Sequence, residues 1–128
     1  MMNLFTKLKE MKILLIDDDE WIRDSLSLFF ESEGCHITAL ETAEEGIEEL
    51  KSHTYDIIIV DYKLPGMSGL EFLKLVKTSH PHARTILITA YGRKDIFLAA
   101  RKIEVNDFID KPLTAKNIEE SLFRLIEG

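Results

Sequence analysis

Carboxylates recur in this chain directly behind apolar runs. Asp17, Asp18 and Asp19 follow Ile13-Leu14-Leu15-Ile16, and Asp61 follows Ile57-Ile58-Ile59-Val60. Pro65-Gly66-Met67-Ser68-Gly69 lies just beyond Asp61. Thr89-Ala90 follows Ile86-Leu87-Ile88, and Lys111-Pro112 follows Phe108-Ile109-Asp110. Short continuous apolar runs fit buried parallel strands, and ligand sites in open α/β sheets gather at the carboxyl ends of the strands. Three carboxylates, a hydroxyl and an ammonium should therefore converge at one end of one sheet. That combination suits a divalent cation and a phosphoryl group.

The chemistry follows from charge. Two carboxylates about 4 Å apart repel by about 4 kcal/mol at an effective dielectric of about 20. Such a cluster takes up protons or binds a cation. Hard oxygen donors without histidine or thiol neighbours suit Mg²⁺, which keeps much of its water shell. An acidic first helical turn accounts for Asp19 and Glu20. It does not account for Asp61 at the end of a neighbouring strand. Asp61 is the expected nucleophile, since a carboxylate can attack phosphorus and carry an acyl phosphate. Lys111 would neutralise phosphoryl oxygens, the dominant need in phosphoryl transfer. Thr89 would donate to a further oxygen, and the small Ala90 would leave the group room.

The elements that must position these residues alternate along the chain. The pattern predicts strands over 12–16, 36–40, 56–60, 84–89 and about 105–110. It predicts helices over 20–33, from Thr42 onward, from Ser68 to about Thr78, over 93–103, and from Thr114 to the end. Thr42-Ala-Glu-Glu45 and Ser68-Gly-Leu-Glu71 read as capping boxes. Trp21, Ile22, Leu26, Phe29 and Phe30 read as the packing face of the first of these helices. Five βα units favour a doubly wound, five-stranded parallel sheet of flavodoxin-like order 2-1-3-4-5, with strands one and three adjacent at the switch point. Residues 1–10 read as an N-terminal extension before a domain over 11–128. The spacing of Leu4, Leu8 and Met11 leaves two readings of it: a frayed end, which is the expectation, or a short amphipathic helix docked on the domain or on a second copy.

Composition limits the function. The chain has 128 residues, the size of one domain, and 45% apolar content fits a globular fold. Its formal net charge of −7 argues against direct nucleic-acid binding. One cysteine excludes an intramolecular disulfide, and a cytoplasmic setting is the simplest reading. No apolar run reaches membrane-spanning length, and the first twelve residues lack a signal-peptide core.

In combination and order, these motifs resemble the receiver domain of two-component response regulators, over about residues 11–127. The paired acidic residues are Asp17 and Asp18, the phosphoacceptor is Asp61, the switch threonine is Thr89 and the lysine-proline pair is Lys111-Pro112. The switch aromatic falls on Phe108. The resemblance implies Mg²⁺ held by Asp18, Asp61 and the backbone carbonyl of Lys63, with Asp17 acting through bound water. It implies a histidine kinase or phosphotransfer protein as donor, a usual cis peptide at Lys111-Pro112, and no enzymatic turnover beyond the domain's own phosphorylation and slow dephosphorylation. It also implies that the fourth helix, fifth strand and fifth helix form the output face, toward a second copy or an output domain. Arg93, Lys94, Arg101 and Lys102 concentrate positive charge there. Lys63 and Tyr91 would flank the path of hydrolytic water and prolong the phosphorylated state.

The chain departs from the family pattern at Glu104-Val105, where many relatives carry Gly-Ala, and at Phe108, which lacks a tyrosine hydroxyl. Two alternatives fit less. Asp17-x-Asp19 superficially resembles the haloacid-dehalogenase phosphatases, but Trp21 stands where that family usually has Thr or Val. A flavin-binding module would want a Ser/Thr/Gly-rich loop after strand one, not carboxylates.

Overall fold

The computed structural model describes residues 3–90 and 94–127. Five strands form one parallel sheet in the order β2-β1-β3-β4-β5. They are β1 (Lys12–Ile16), β2 (His36–Leu40), β3 (Ile57–Asp61), β4 (Arg84–Thr89) and β5 (Asp107–Asp110). The helices are α1 (Leu4–Leu8), α2 (Glu20–Ser32), α3 (Ala43–Ser52), α4 (Gly69–Ser79), α5 (Lys94–Lys102) and α6 (Ala115–Glu127). The expected sheet order and doubly wound fold are both present. No helix among the described residues is long and apolar enough to cross a membrane.

Strand periodicity divides the core into two layers. Leu14, Ile16, Ile58 and Val60 face α3, α4 and α5, packing with Ala43, Leu50, Phe72 and Ile96. Ile13, Leu15, Ile57 and Ile59 face the other way, packing with Leu8, Leu26, Phe30, Ile118 and Leu122. Because both faces are covered, these strands are apolar at every position rather than at alternate ones. The pairs Ile13↔Ile57 to Ile16↔Val60 set β1 beside β3, so both strands end at the same level.

Local signals set most of the boundaries. Thr42 and Ser68 complete their capping boxes with Glu45 and Glu71. At Thr114, the hydroxyl accepts from the Asn117 N–H at 3.1 Å while Asn117 accepts from the Thr114 N–H at 2.8 Å. Strand three is displaced by one residue from its expected range. Asp61 belongs to it and pairs with Ile88, whereas the Asp56 carboxylate accepts from the Lys12 N–H at 2.7 Å. Strand five starts later than expected because Val105 and Asn106 complete the turn after α5. There the Asn106 side chain accepts from the Thr85 N–H at 2.8 Å.

Two expectations need correction. Trp21 is not on the packing face of α2; it is 72% exposed. The core takes Leu26 and Phe30, and Trp21 lies about 140° from Leu26 around a helix of 3.6 residues per turn, on the side of exposed Leu28. Nor is the N-terminal segment a frayed end over its described residues. Asn3 caps α1, Leu4 and Leu8 are buried, and the Phe5 ring meets Phe29 edge-on at 5.7 Å. Lys7 pairs with Glu127 at 2.5 Å, tying α1 to the last turn of α6.

The departure at Glu104 leaves a measurable mark. Glu104 adopts the left-handed conformation, φ 61°, that a glycine would take without strain. The chain still stops α5 there, with the Val105 N–H donating to the Ala100 carbonyl at 3.1 Å. Glu104→Gly should stabilise the domain by about 0.5–1 kcal/mol, the relief of left-handed strain less the added freedom of the unfolded chain. Urea unfolding checks this, and a lower midpoint would contradict it.

Candidate functional site

The matched ends of β1 and β3 deliver the acidic residues to one place. Asp17, Asp18 and Asp61 each bring a carboxylate oxygen within 4.8 Å of the others. Asp17 and Asp61 are 3% and 1% exposed, whereas Asp18 is open to solvent. They line an open pocket of about 470 Å³ with Asp19, Ile22, Lys111, Pro112 and Leu113. A more apolar cleft of about 410 Å³ between α3 and α4 lies elsewhere and has no carboxylate in its lining.

Backbone N–H groups hold the carboxylates of Asp17, Asp19 and Asp61. Asp17 extends the ladder through its N–H to the Leu40 carbonyl at 3.1 Å, and its side chain accepts from the Asp19 N–H at 2.9 Å. Asp19 turns outward to cap α2, accepting from Trp21 and Ile22. The Asp61 carboxylate accepts from the Lys63 N–H at 3.3 Å and from the Lys111 ammonium at 2.9 Å. Lys111 follows β5 and precedes a cis peptide to Pro112. The sequence reading missed Arg23, whose guanidinium donates to the Asp17 carbonyl at 2.9 Å. A cation six residues after Asp17, on the second turn of α2, was the available signal.

Electrostatics in this pocket favour a cation. Burial pushes Asp17 up to about 6; the Asp19 N–H opposes the shift, and the charge of Asp61 adds to it. Burial also raises Asp61, against the hydrogen bond and charge of Lys111. Burial works against the Lys111 ammonium, but the hydrogen bond and charge of Asp61, helped by Asp17 and Asp18, raise it overall. Hard carboxylate oxygens clustered around a partly open pocket fit a small divalent ion such as Mg²⁺.

The remaining expected residues surround this centre. Thr89 is buried at the end of β4, but its hydroxyl donates to the Ala90 carbonyl at 3.2 Å rather than to Asp61. Ala90 is exposed, as is the Lys63 side chain. Phe108 is half-buried on β5, its ring 4.7 Å from Phe97 of α5. Tyr91 and Arg93 lie outside the described residues.

A family model for the response regulator receiver domain matches residues 13–123. The chain is 32% identical over 113 residues to the response regulator protein FleR of Pseudomonas aeruginosa, covering 88% of this chain and 24% of FleR. It is 30% identical over 124 residues to the chemotaxis protein CheY-3 of Vibrio cholerae, covering 93% of this chain and 94% of that protein. Among solved structures, it is similar to the response regulator TrrA of Thermotoga maritima in complex with Mg(2+)-BeF. The TM-score is 0.79 at 29% identity, over 91% of this chain and 99% of that one.

The charged Asp17 carboxylate should cost stability when no metal is present. Its folded pKa lies above the ordinary value of 3.8, so the cost is full above pH about 6 and disappears as pH falls below about 4. In chelator at pH 7.5, Asp17→Asn should be more stable than the parent by roughly 2–3 kcal/mol. The advantage should vanish in acid. Denaturant unfolding across pH measures this, and a variant no more stable at pH 7.5 would contradict it.

Proposed function

The chain belongs to the response regulator receiver family and serves two-component phosphorelay signalling, and on that premise we propose that Asp61 is its phosphoacceptor. The observation that carries the proposal is the buried Asp61 carboxylate, 2.9 Å from the Lys111 ammonium and clustered with Asp17 and Asp18. One carboxylate oxygen attacks phosphorus of a phosphohistidine on a histidine kinase or phosphotransfer protein. The new O–P bond forms as the N–P bond breaks, and its electron pair leaves with the imidazole nitrogen. Lys111 exchanges part of its contact with Asp61 for a phosphoryl oxygen. The small Ala90 leaves the entering group space.

Mg²⁺, held by Asp18, Asp61 and the Lys63 carbonyl, with Asp17 reaching it through water, would neutralise charge on the phosphoryl oxygens. The acidic cluster and the Mg(2+)-BeF complex of TrrA support this assignment.

In the switch we propose, the Thr89 hydroxyl leaves the Ala90 carbonyl for the phosphoryl group. Phe108 then turns inward and its packing on Phe97 is reset. A hydrogen bond to a charged group contributes about 1.5–3 kcal/mol, whereas a swing from 1:99 to 99:1 needs about 5.5 kcal/mol. Thr89 therefore acts with Lys111 and not alone. The face formed by α5, β5 and α6 would pass the change to a second copy or an output domain. Lys63 and Tyr91 are proposed to shield the acyl phosphate from water, on their sequence positions. The only turnover proposed is the domain's own phosphorylation and slow dephosphorylation. The receiver unit is taken as residues 11–128, with residues 1–10 as an appended segment, in a cytoplasmic setting.

Acetyl phosphate with Mg²⁺ should add one hydroxylamine-labile phosphate at Asp61, and Asp61→Asn should take up none. Intact-protein and peptide mass spectrometry read the outcome. Equal labelling of the variant would remove Asp61 from the role.

A further inference from the structure

The loop after Asp61 is gripped by a side chain that the proposed chemistry does not use. Glu44 lies in the first turn of α3, and one of its carboxylate oxygens accepts from the Met67 N–H at 3.1 Å. The fit is close. Gly66 has φ +77°, and a Cβ there would lie 2.7 Å from the same Glu44 oxygen. The carboxylate thus occupies the space a side chain at position 66 would need.

This loop is short, bonded to the acceptor at its start and packed against the acceptor's backbone at its end. At its start, the Lys63 N–H donates to the Asp61 carboxylate at 3.3 Å. At its end, the Gly69 N–H donates to the Tyr62 carbonyl at 2.9 Å. A Cβ on Gly69 would come within 2.2 Å of the Asp61 carbonyl oxygen, so the first turn of α4 rests on the backbone of Asp61 itself. A displacement at Met67 has little slack in which to dissipate before reaching Lys63 or Asp61. Groups that orient metal ligands from behind usually act by this kind of restraint.

We infer that Glu44 is a positioning residue for the acceptor site: by holding the Met67 N–H it fixes the loop that presents Lys63 beside Asp61. This rests on the reading of Asp61 as phosphoacceptor. The hydrogen bond, rather than the charge, carries the effect, so glutamine should substitute for glutamate and alanine should not.

The test compares the parent, Glu44→Gln and Glu44→Ala in Mg²⁺ titrations followed by the fluorescence of Trp21, the chain's one tryptophan. Initial rates of labelling by acetyl phosphate and thermal midpoints are measured alongside. Glu44→Ala should weaken Mg²⁺ binding and slow labelling by about threefold to tenfold, and Glu44→Gln should restore both to within about twofold of the parent. A role limited to the charge at the start of α3 would lower the thermal midpoint of both variants and leave Mg²⁺ binding unchanged. That result would overturn the inference, as would equal losses in both variants. A parent that binds Mg²⁺ with the predicted variant pattern yet takes no label would instead count against the phosphoacceptor reading alone.

Discussion

Three carboxylates crowd the carboxyl ends of two adjacent strands, and the Lys111 ammonium sits on one of them. Asp17 and Asp61 are almost fully withdrawn from water, and both are pushed toward their protonated forms. Burial is the main cause, and the charges of neighbouring carboxylates add to it. The rest of the fold supplies what this arrangement requires. Backbone N–H groups of Asp19 and Lys63 meet the buried oxygens, Arg23 braces the Asp17 carbonyl, and β4 and β5 bring Thr89 and Lys111 to the same level. The pocket stays open on the Asp18 side, where a cation can enter.

The same crowding gives a physical basis for switching. A phosphoryl group on Asp61 would change the charge next to Lys111, in a site whose hydrogen bonds are already committed. Thr89 is bonded to its neighbour's carbonyl, and Phe108 rests against Phe97, whose ring also meets the Arg101 guanidinium at 5.8 Å. These contacts are weak and individually replaceable. In the proposed switch, an electrostatic change at Asp61 would rearrange them and leave the sheet beneath in place.

The sheet was legible in the sequence because its signal is redundant. Strands covered on both faces must be apolar throughout, and Thr42, Ser68 and Thr114 mark helix starts by side-chain chemistry that hardly depends on tertiary context. The carboxylate cluster was legible for a related reason: parallel strands in register end together, so residues behind the apolar runs had to meet. What escaped depended on packing from elsewhere. Trp21 matched an apolar face by type, but the angle between it and Leu26 decided its exposure. Leu4 and Leu8 carried the spacing of a docked helix, yet only the surfaces of α2 and α6 could show that a binding site for it existed. Arg23 and Glu44 are ordinary surface residue types whose importance lies in which backbone group they reach. The direction of the Thr89 hydroxyl likewise depends on local geometry that residue identity leaves free.

The acidic pocket strains the fold electrostatically, and a divalent cation bound there would relieve that strain. Thermal unfolding at pH 7.5 across a Mg²⁺ series tests it directly, beside Asp18→Ala, which removes the exposed carboxylate of the cluster. Binding to the native state alone should raise the stability of the parent as RT ln(1 + [Mg²⁺]/Kd), about 2.7 kcal/mol at one hundred times Kd. The variant should show little or no rise over the same range. A parent whose midpoint does not move with Mg²⁺, or moves no more than that of Asp18→Ala, would contradict the account.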